Sequence, residues 1–139
     1  MASGVPADIL NALERALALD ERHIGALVTL GEVLSDQDPE KGQRLLQTAI
    51  AQSNEPLPSA HLALGTALKN AGDLNGAVVE YRKAIQSAKQ EGPATNYYGS
   101  VSHGTLAHSH MALAATYEEM GQMESSMSEY EAAIEDLPY

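Results

Sequence analysis

The sequence predicts an all-α fold, a solenoid of short antiparallel helical hairpins, and three observations carry that prediction. The stretch Ser59 to Ile85, SAHLALGTALKNAGDLNGAVVEYRKAI, reads as two amphipathic helices around a tight turn. Its first half carries Leu64, Gly65 and Leu68; its second carries Ala77, Tyr81, Ala84 and Ile85 on one helical face. Second, the pattern recurs. Met111 to Ile134 repeats it 49 residues later, with Leu113, Ala114 and Tyr117 for Leu64, Gly65 and Leu68, and with Tyr130, Ala133 and Ile134 behind them. Leu30, Gly31 and Leu34 stand 34 residues earlier, and Leu46, Ala49 and Ile50 stand 35 earlier. Third, no alternating strand pattern competes with these helical ones.

Taken in order, the 139 residues are expected to form a single domain. Residues 6–20 make a leading helix with Ile9, Leu13, Ala16 and Leu17 on one face, in register with the second helix of a hairpin whose first is missing. Residues 24–54 form the first complete unit. Its turn is one residue shorter than the others and lacks glycine; Asp38-Pro39-Glu40 starts the next helix instead, an Asp cap followed by Pro at the first helical position.

Pro56 and Pro58 keep the connector to the second unit, 58–91, non-helical. Within that unit Gly72 is suited to a left-handed helix end and Asp73 to an N-cap. Gly65 costs about 1 kcal/mol against Ala inside a helix, so its expected use is close approach of a neighbour. The second helix runs on through Gln90 until Gly92-Pro93 stops it. Residues 92–104, GPATNYYGSVSHG, break the period as an insertion loop, and the third unit, 105–138, has a first helix expected to start between Val101 and Thr105. The ending at Pro138-Tyr139 fits an excised piece of a longer protein or an end that pairs with another copy equally well.

A period near 34 with the order Leu-Gly, an aromatic or Leu, then Ala, aromatic and Ala resembles the tetratricopeptide repeat family. The resemblance spans about four fifths of the chain, as three units and a leading half. It implies a right-handed superhelix, an α-solenoid. Two departures stand out: Leu27, His61 and His110 replace the family's preferred Trp, and its closing Pro survives only as Pro138. Ser126 and Gly42, where the family has Ala, predict looser packing at their helix crossings.

Composition narrows the function. Eight Lys plus Arg against 19 Asp plus Glu give a net charge of -11, which disfavours nucleic acid and anionic membranes. No cysteine is present, so disulfides and thiolate chemistry are excluded. The first ten residues lack a basic, apolar secretory signal, which makes the cytoplasm the default expectation.

The resemblance implies that the first helices of successive units line a concave groove for a partner. Its positions fall on Gly25, Val28, Thr29, Glu32, Ser35 and Asp36, on Ser59, Leu62, Ala63, Thr66, Lys69 and Asn70, and on His108, Met111, Ala112, Ala115, Glu118 and Glu119. The basic and amide clamp with which co-chaperone members grip a terminal carboxylate is missing: Val28 and Met111 stand where such side chains would be. The expected ligand is therefore a peptide or helix segment with basic flanks, docked on Val28, Leu62 and Met111 and steered by Glu32, Glu118 and Glu119. The competing expectation is a homo-oligomer that stacks copies through Met123, Met127 and Tyr130 on the last helix.

His103, His108 and His110 cluster near the insertion, yet His108 and His110 diverge by about 200 degrees on a helix, and His103 shares a face with His110 only if helix continues through Gly104. His61 and His110 are expected to pack rather than to ligate. No phosphate loop, nucleophile elbow or zinc signature occurs. The expectation is a protein-binding adaptor or scaffold with no catalytic, metal or cofactor site.

Overall fold

The computed structural model describes residues 7–19, 23–54, 56–90 and 100–136, except the side chains of 90, 100–104 and 136. Seven helices follow one another: α1 (Ala7–Leu19), α2 (Ile24–Leu34), α3 (Pro39–Gln52), α4 (Pro58–Asn70), α5 (Leu74–Gln90), α6 (Ser100–Glu119) and α7 (Met123–Asp136). Among the described residues there is no strand.

The turns follow from local chemistry. At α4–α5 and α6–α7, Gly72 (φ 92°) and Gly121 (φ 79°) take the left-handed conformation that the sequence predicts for the former. Asp73 N–H then reaches back to Leu68 O and Gln122 N–H to Tyr117 O, each at 2.8 Å, so the last carbonyls of both helices are satisfied. Asp73 Oδ1 accepts from Gly76 N–H at 2.9 Å and starts α5. The shorter α2–α3 turn needs no left-handed residue; Asp38 N–H bonds Leu34 O at 2.8 Å, and Asp38 Oδ1 caps Lys41 N–H ahead of Pro39. His23 caps α2, its Nδ1 accepting from Ala26 N–H at 3.1 Å.

Helix α6 begins at Ser100, one residue before the expected window, and runs through Gly104. A serine favours a helix start, and a twenty-residue helix held on two sides tolerates one glycine. The rest of the expected insertion, 92–99, lies outside the described residues.

Each helix packs on its sequence neighbours, and the first helices of the hairpins also meet as α2–α4 and α4–α6. The second helices α3, α5 and α7 do not meet one another among the described residues, so α2, α4 and α6 form the inner layer of a curved stack. Helix α1 packs on α2 alone and contributes no fully buried residue; Leu13, Ala16 and Leu17 of its apolar face are half-buried.

The core is correspondingly a ribbon. Leu46, Ala60, Ala63 and Leu64 make one cluster; Ala77, Tyr81, Leu113 and Tyr117 make the next, and Leu68 packs against both. Small residues set how closely the helices approach. A Cβ on Gly31 would lie 2.5 Å from Leu46 Cγ, and one on Gly65 would lie 2.6 Å from Tyr81 Cε1, so each glycine admits a large side chain from its hairpin partner.

The looser packing expected at Gly42 and Ser126 is not found. A Cβ on Gly42 would sit 3.0 Å from Gly31 O, because the backbones of α2 and α3 close onto each other there. Ser126 is 2 % exposed. At Gly42, removing a methyl group has drawn the helices together instead of leaving a gap.

Candidate interaction groove

Helices α2, α4 and α6 present the residues expected to line the groove, and the structure divides them into three sets. Glu32, Ser35, Ser59, Leu62, Ala63 and Thr66 surround one depression of about 190 Å3 between α2 and α4. A second set ties the inner helices together. Asn70 Nδ2 donates at 2.9 Å to both Ser35 O and Asp36 Oδ1, bridging α4 to α2, and Lys69 Nζ pairs with Glu119 Oε1 at 3.4 Å, bridging α4 to α6. Asn70 and Lys69 are thus engaged within the stack. The third set, Thr29, His108, Met111 and Glu118, is found on the same helices without lining the depression; all four are exposed, and Ala115 beside them is half-buried.

Two of the expected docking side chains double as core. Val28 packs against the Leu46 cluster, and Leu62 packs against the Tyr81 cluster while turning one side to the depression. Below them Tyr81 shares a 3.1 Å hydrogen bond with Thr66, whose Oγ1 also bonds Leu62 O at 3.1 Å. Burial pushes the Tyr81 phenol up, against the bond from Thr66, and the charge of Glu119 pushes it further. Glu32 reaches solvent at the wall of the depression, yet partial burial holds its carboxyl above the ordinary carboxylate range.

The corresponding hairpin of α6 and α7 is built differently. Ala114 and Ala115 stand where α4 has Gly65 and Thr66, so Tyr130 finds neither the gap nor the hydroxyl that Tyr81 has. Tyr130 is half-buried and bonds Glu118 instead; desolvation and then the charge of that carboxylate raise its pKa. On α7 the exposed apolar residues are Met123 (59 %), Met127 (63 %) and Ile134 (70 %). They share one face at i, i+4 and i+11, so Ile134, read from sequence as core, belongs with the two methionines, and Tyr130 is tied to its own hairpin.

A pair of polar contacts escaped sequence reasoning. His61 Nδ1 donates to Glu80 Oε1 at 2.8 Å, and His110 Nδ1 to Glu129 Oε2 at 2.6 Å, each joining the two helices of a hairpin. Both partners recur at the offset of 49, and that shared offset was the available signal. Lys83 adds a 3.1 Å bond to Glu80. Burial pushes the Glu80 carboxyl up, but the bonds and charges of His61 and Lys83 outweigh it, leaving the pKa below the ordinary value. These three residues line a second depression, of about 300 Å3, bounded by α3, α4 and α5.

The helix passes through Gly104, so positions 103 and 110 share a face by register; the His103 side chain lies outside the described residues. Among the described residues no group of three or more His, Asp or Glu is placed to hold a metal ion, and no helix is long and apolar enough to cross a membrane.

A curved stack of antiparallel helix pairs with an inner layer of first helices defines an α-solenoid, the class of helical-repeat scaffolds that present an inner face to other proteins. The Tetratricopeptide repeat family profile matches residues 58–91 and 107–135, so the chain carries tetratricopeptide repeats over those two stretches. Two solved structures share the arrangement. One, "MamA MSR-1 C2", superposes with a TM-score of 0.64 at 25 % identity, covering 89 % of this chain and 63 % of that one. The other, a mutant of MamA, gives 0.63 at 24 % identity, covering 91 % and 82 %. The chain thus spans less than two thirds of the first structure. No curated protein sequence matches it.

Proposed function

We propose that the chain works as an adaptor, binding a peptide or helical segment of a partner protein along the face formed by α2, α4 and α6, without a carboxylate clamp and without catalysis. The observation that carries this reading is the α2–α4 depression, an apolar floor of Leu62 and Ala63 beside the Glu32 carboxylate. Exposed Met111 and Glu118 continue the same mixture of apolar and acidic surface on α6. With a net charge of -11, a basic or amphipathic protein segment is a better partner than nucleic acid or an anionic membrane, and the cytoplasm is the compartment this reading assumes.

The test is selection of a displayed random-peptide library on the immobilised chain, followed by binding to variants. Selected peptides should lose about tenfold or more in affinity with Met111→Glu or Glu32→Lys, and none with Met127→Glu. Peptides insensitive to both groove changes, or no enrichment at all, would sink the reading.

A second reading, self-assembly, is favoured by the exposed stripe of Met123, Met127 and Ile134. Light scattering over a hundredfold concentration range separates the two. Assembly requires larger species that Met127→Glu dissolves; a monomer throughout removes it.

A further inference from the structure

The adaptor reading leaves open what part of a partner the α2–α4 depression takes. Resting on that reading, we propose that the depression is a subsite for one basic side chain of the bound segment, its cation on the Glu32 carboxylate and its methylene stem along Leu62 and Ala63.

Three observations point the same way. The Glu32 carboxylate has no hydrogen-bond or ion-pair partner among the described residues, whereas Glu80, Glu119 and Glu129 each have one. A carboxylate without a partner at the wall of an apolar depression gains a charge-assisted bond from an incoming cation. The rest of the lining suits the stem and head of such a side chain: Leu62 and Ala63 supply apolar surface, and Ser35, Ser59 and Thr66 supply hydroxyl oxygens with acceptor capacity. The Ser35 proton is already given to Glu32 O at 2.8 Å, which leaves that oxygen's lone pairs available to a guanidinium or ammonium.

Among the described residues nothing competes for the place. No basic residue lines the depression, and Lys69, the one Lys or Arg among the expected groove positions, is held by Glu119. The depression, of about 190 Å3, admits a side chain rather than a whole helix. A helix lying along α2 and α4 would therefore seat a single anchor here, and the acidic surface around it favours the approach of a positive one.

The test uses the full chain, isotopically labelled for NMR, with N-acetyl-arginine amide and its uncharged isostere N-acetyl-citrulline amide as probes. Arginine amide should move the amide signals of Glu32, Ser35, Ser59 and Thr66 saturably, with citrulline amide about tenfold weaker. Glu32→Gln should weaken the arginine probe to the citrulline level without lowering the melting temperature, and Glu40→Gln, on the exposed side of α3, should change nothing. Equal binding of the two probes, equal weakening by Glu40→Gln, or shifts only elsewhere would overturn the subsite. The two proposals fail separately. Selected peptides that need Met111 but ignore Glu32→Gln leave the groove and remove the subsite; an arginine-specific response at Glu32 with no peptide on this face leaves a cation site and removes the groove.

Discussion

The ring of Tyr81 fills the space that a side chain at residue 65 would occupy: Cε1 lies 2.6 Å from the position of a Cβ built on Gly65. The ring is 1 % exposed and bonded to Thr66, so it has little room to retreat. Helix propensity would favour Gly65→Ala by about 1 kcal/mol, but overpacking costs roughly 1–3 kcal/mol and should win. Urea unfolding of Gly65→Ala should show a net loss, and so should Gly31→Ala, where Leu46 plays the part of the ring. An alanine variant as stable as the parent would mean that the partner side chain yields freely.

The His61–Glu80 contact predicts a strong coupling. Glu80→Leu alone leaves the His61 ring and Lys83 without their acceptor and should cost about 1–3 kcal/mol. Pairing it with His61→Leu recreates the Leu27 and Leu45 found at the equivalent places of the first unit, and should recover most of the loss. A double-mutant cycle should give a coupling of about 1 kcal/mol or more, and simple additivity would refute the pair's energetic role.

Acid titration should separate two glutamates of opposite sign. The Glu80 pKa is lowered by folding, so the stability it contributes is present above 4.5 and is lost as pH falls through its folded value. The Glu32 pKa is raised by folding, so its contribution is present below 4.5 and is lost as pH rises through its folded value. At neutral pH Glu80→Gln should therefore lower the melting temperature while Glu32→Gln holds or raises it, and at pH values below both folded pKa values the two differences should shrink. Melting curves that keep both differences constant with pH would contradict the assignment.

Asn70 straps α4 to the end of α2 through two acceptors, whereas half-buried Lys69 forms an ion pair with the exposed Glu119. Asn70→Ala should cost about 1–2 kcal/mol and speed amide hydrogen exchange in α2. Lys69→Ala should cost less than about 1 kcal/mol, and that little should vanish in high salt. The reverse order would make the ion pair the principal tie between first helices.

Much of the fold was legible because it is written in short-range chemistry repeated along the chain. Gly72, Asp73 and the Asp38-Pro39 start each act within a few residues, so their turns follow from local sequence, and the continuation of α5 to Gln90 follows from the absence of a breaker before Gly92. The inner face was legible through the repeat register, which places a residue on a helix side but not its neighbours. That is why Lys69 and Asn70 read as ligand contacts from sequence and prove to be ties between helices.

What the sequence determined by itself is the hairpin and its repetition: glycine at the turns, small residues opposite large ones, apolar faces at helical spacing. What the tertiary structure decided is which polar groups meet. His61 finds Glu80, Asn70 finds Ser35 and Asp36, and Glu32 finds no partner among the described residues, because these outcomes depend on distances between helices that are set by how closely Gly31, Gly42 and Gly65 let their neighbours approach. Apolar burial is tolerant of such distances; a hydrogen bond, which fails within a few tenths of an ångström, is not.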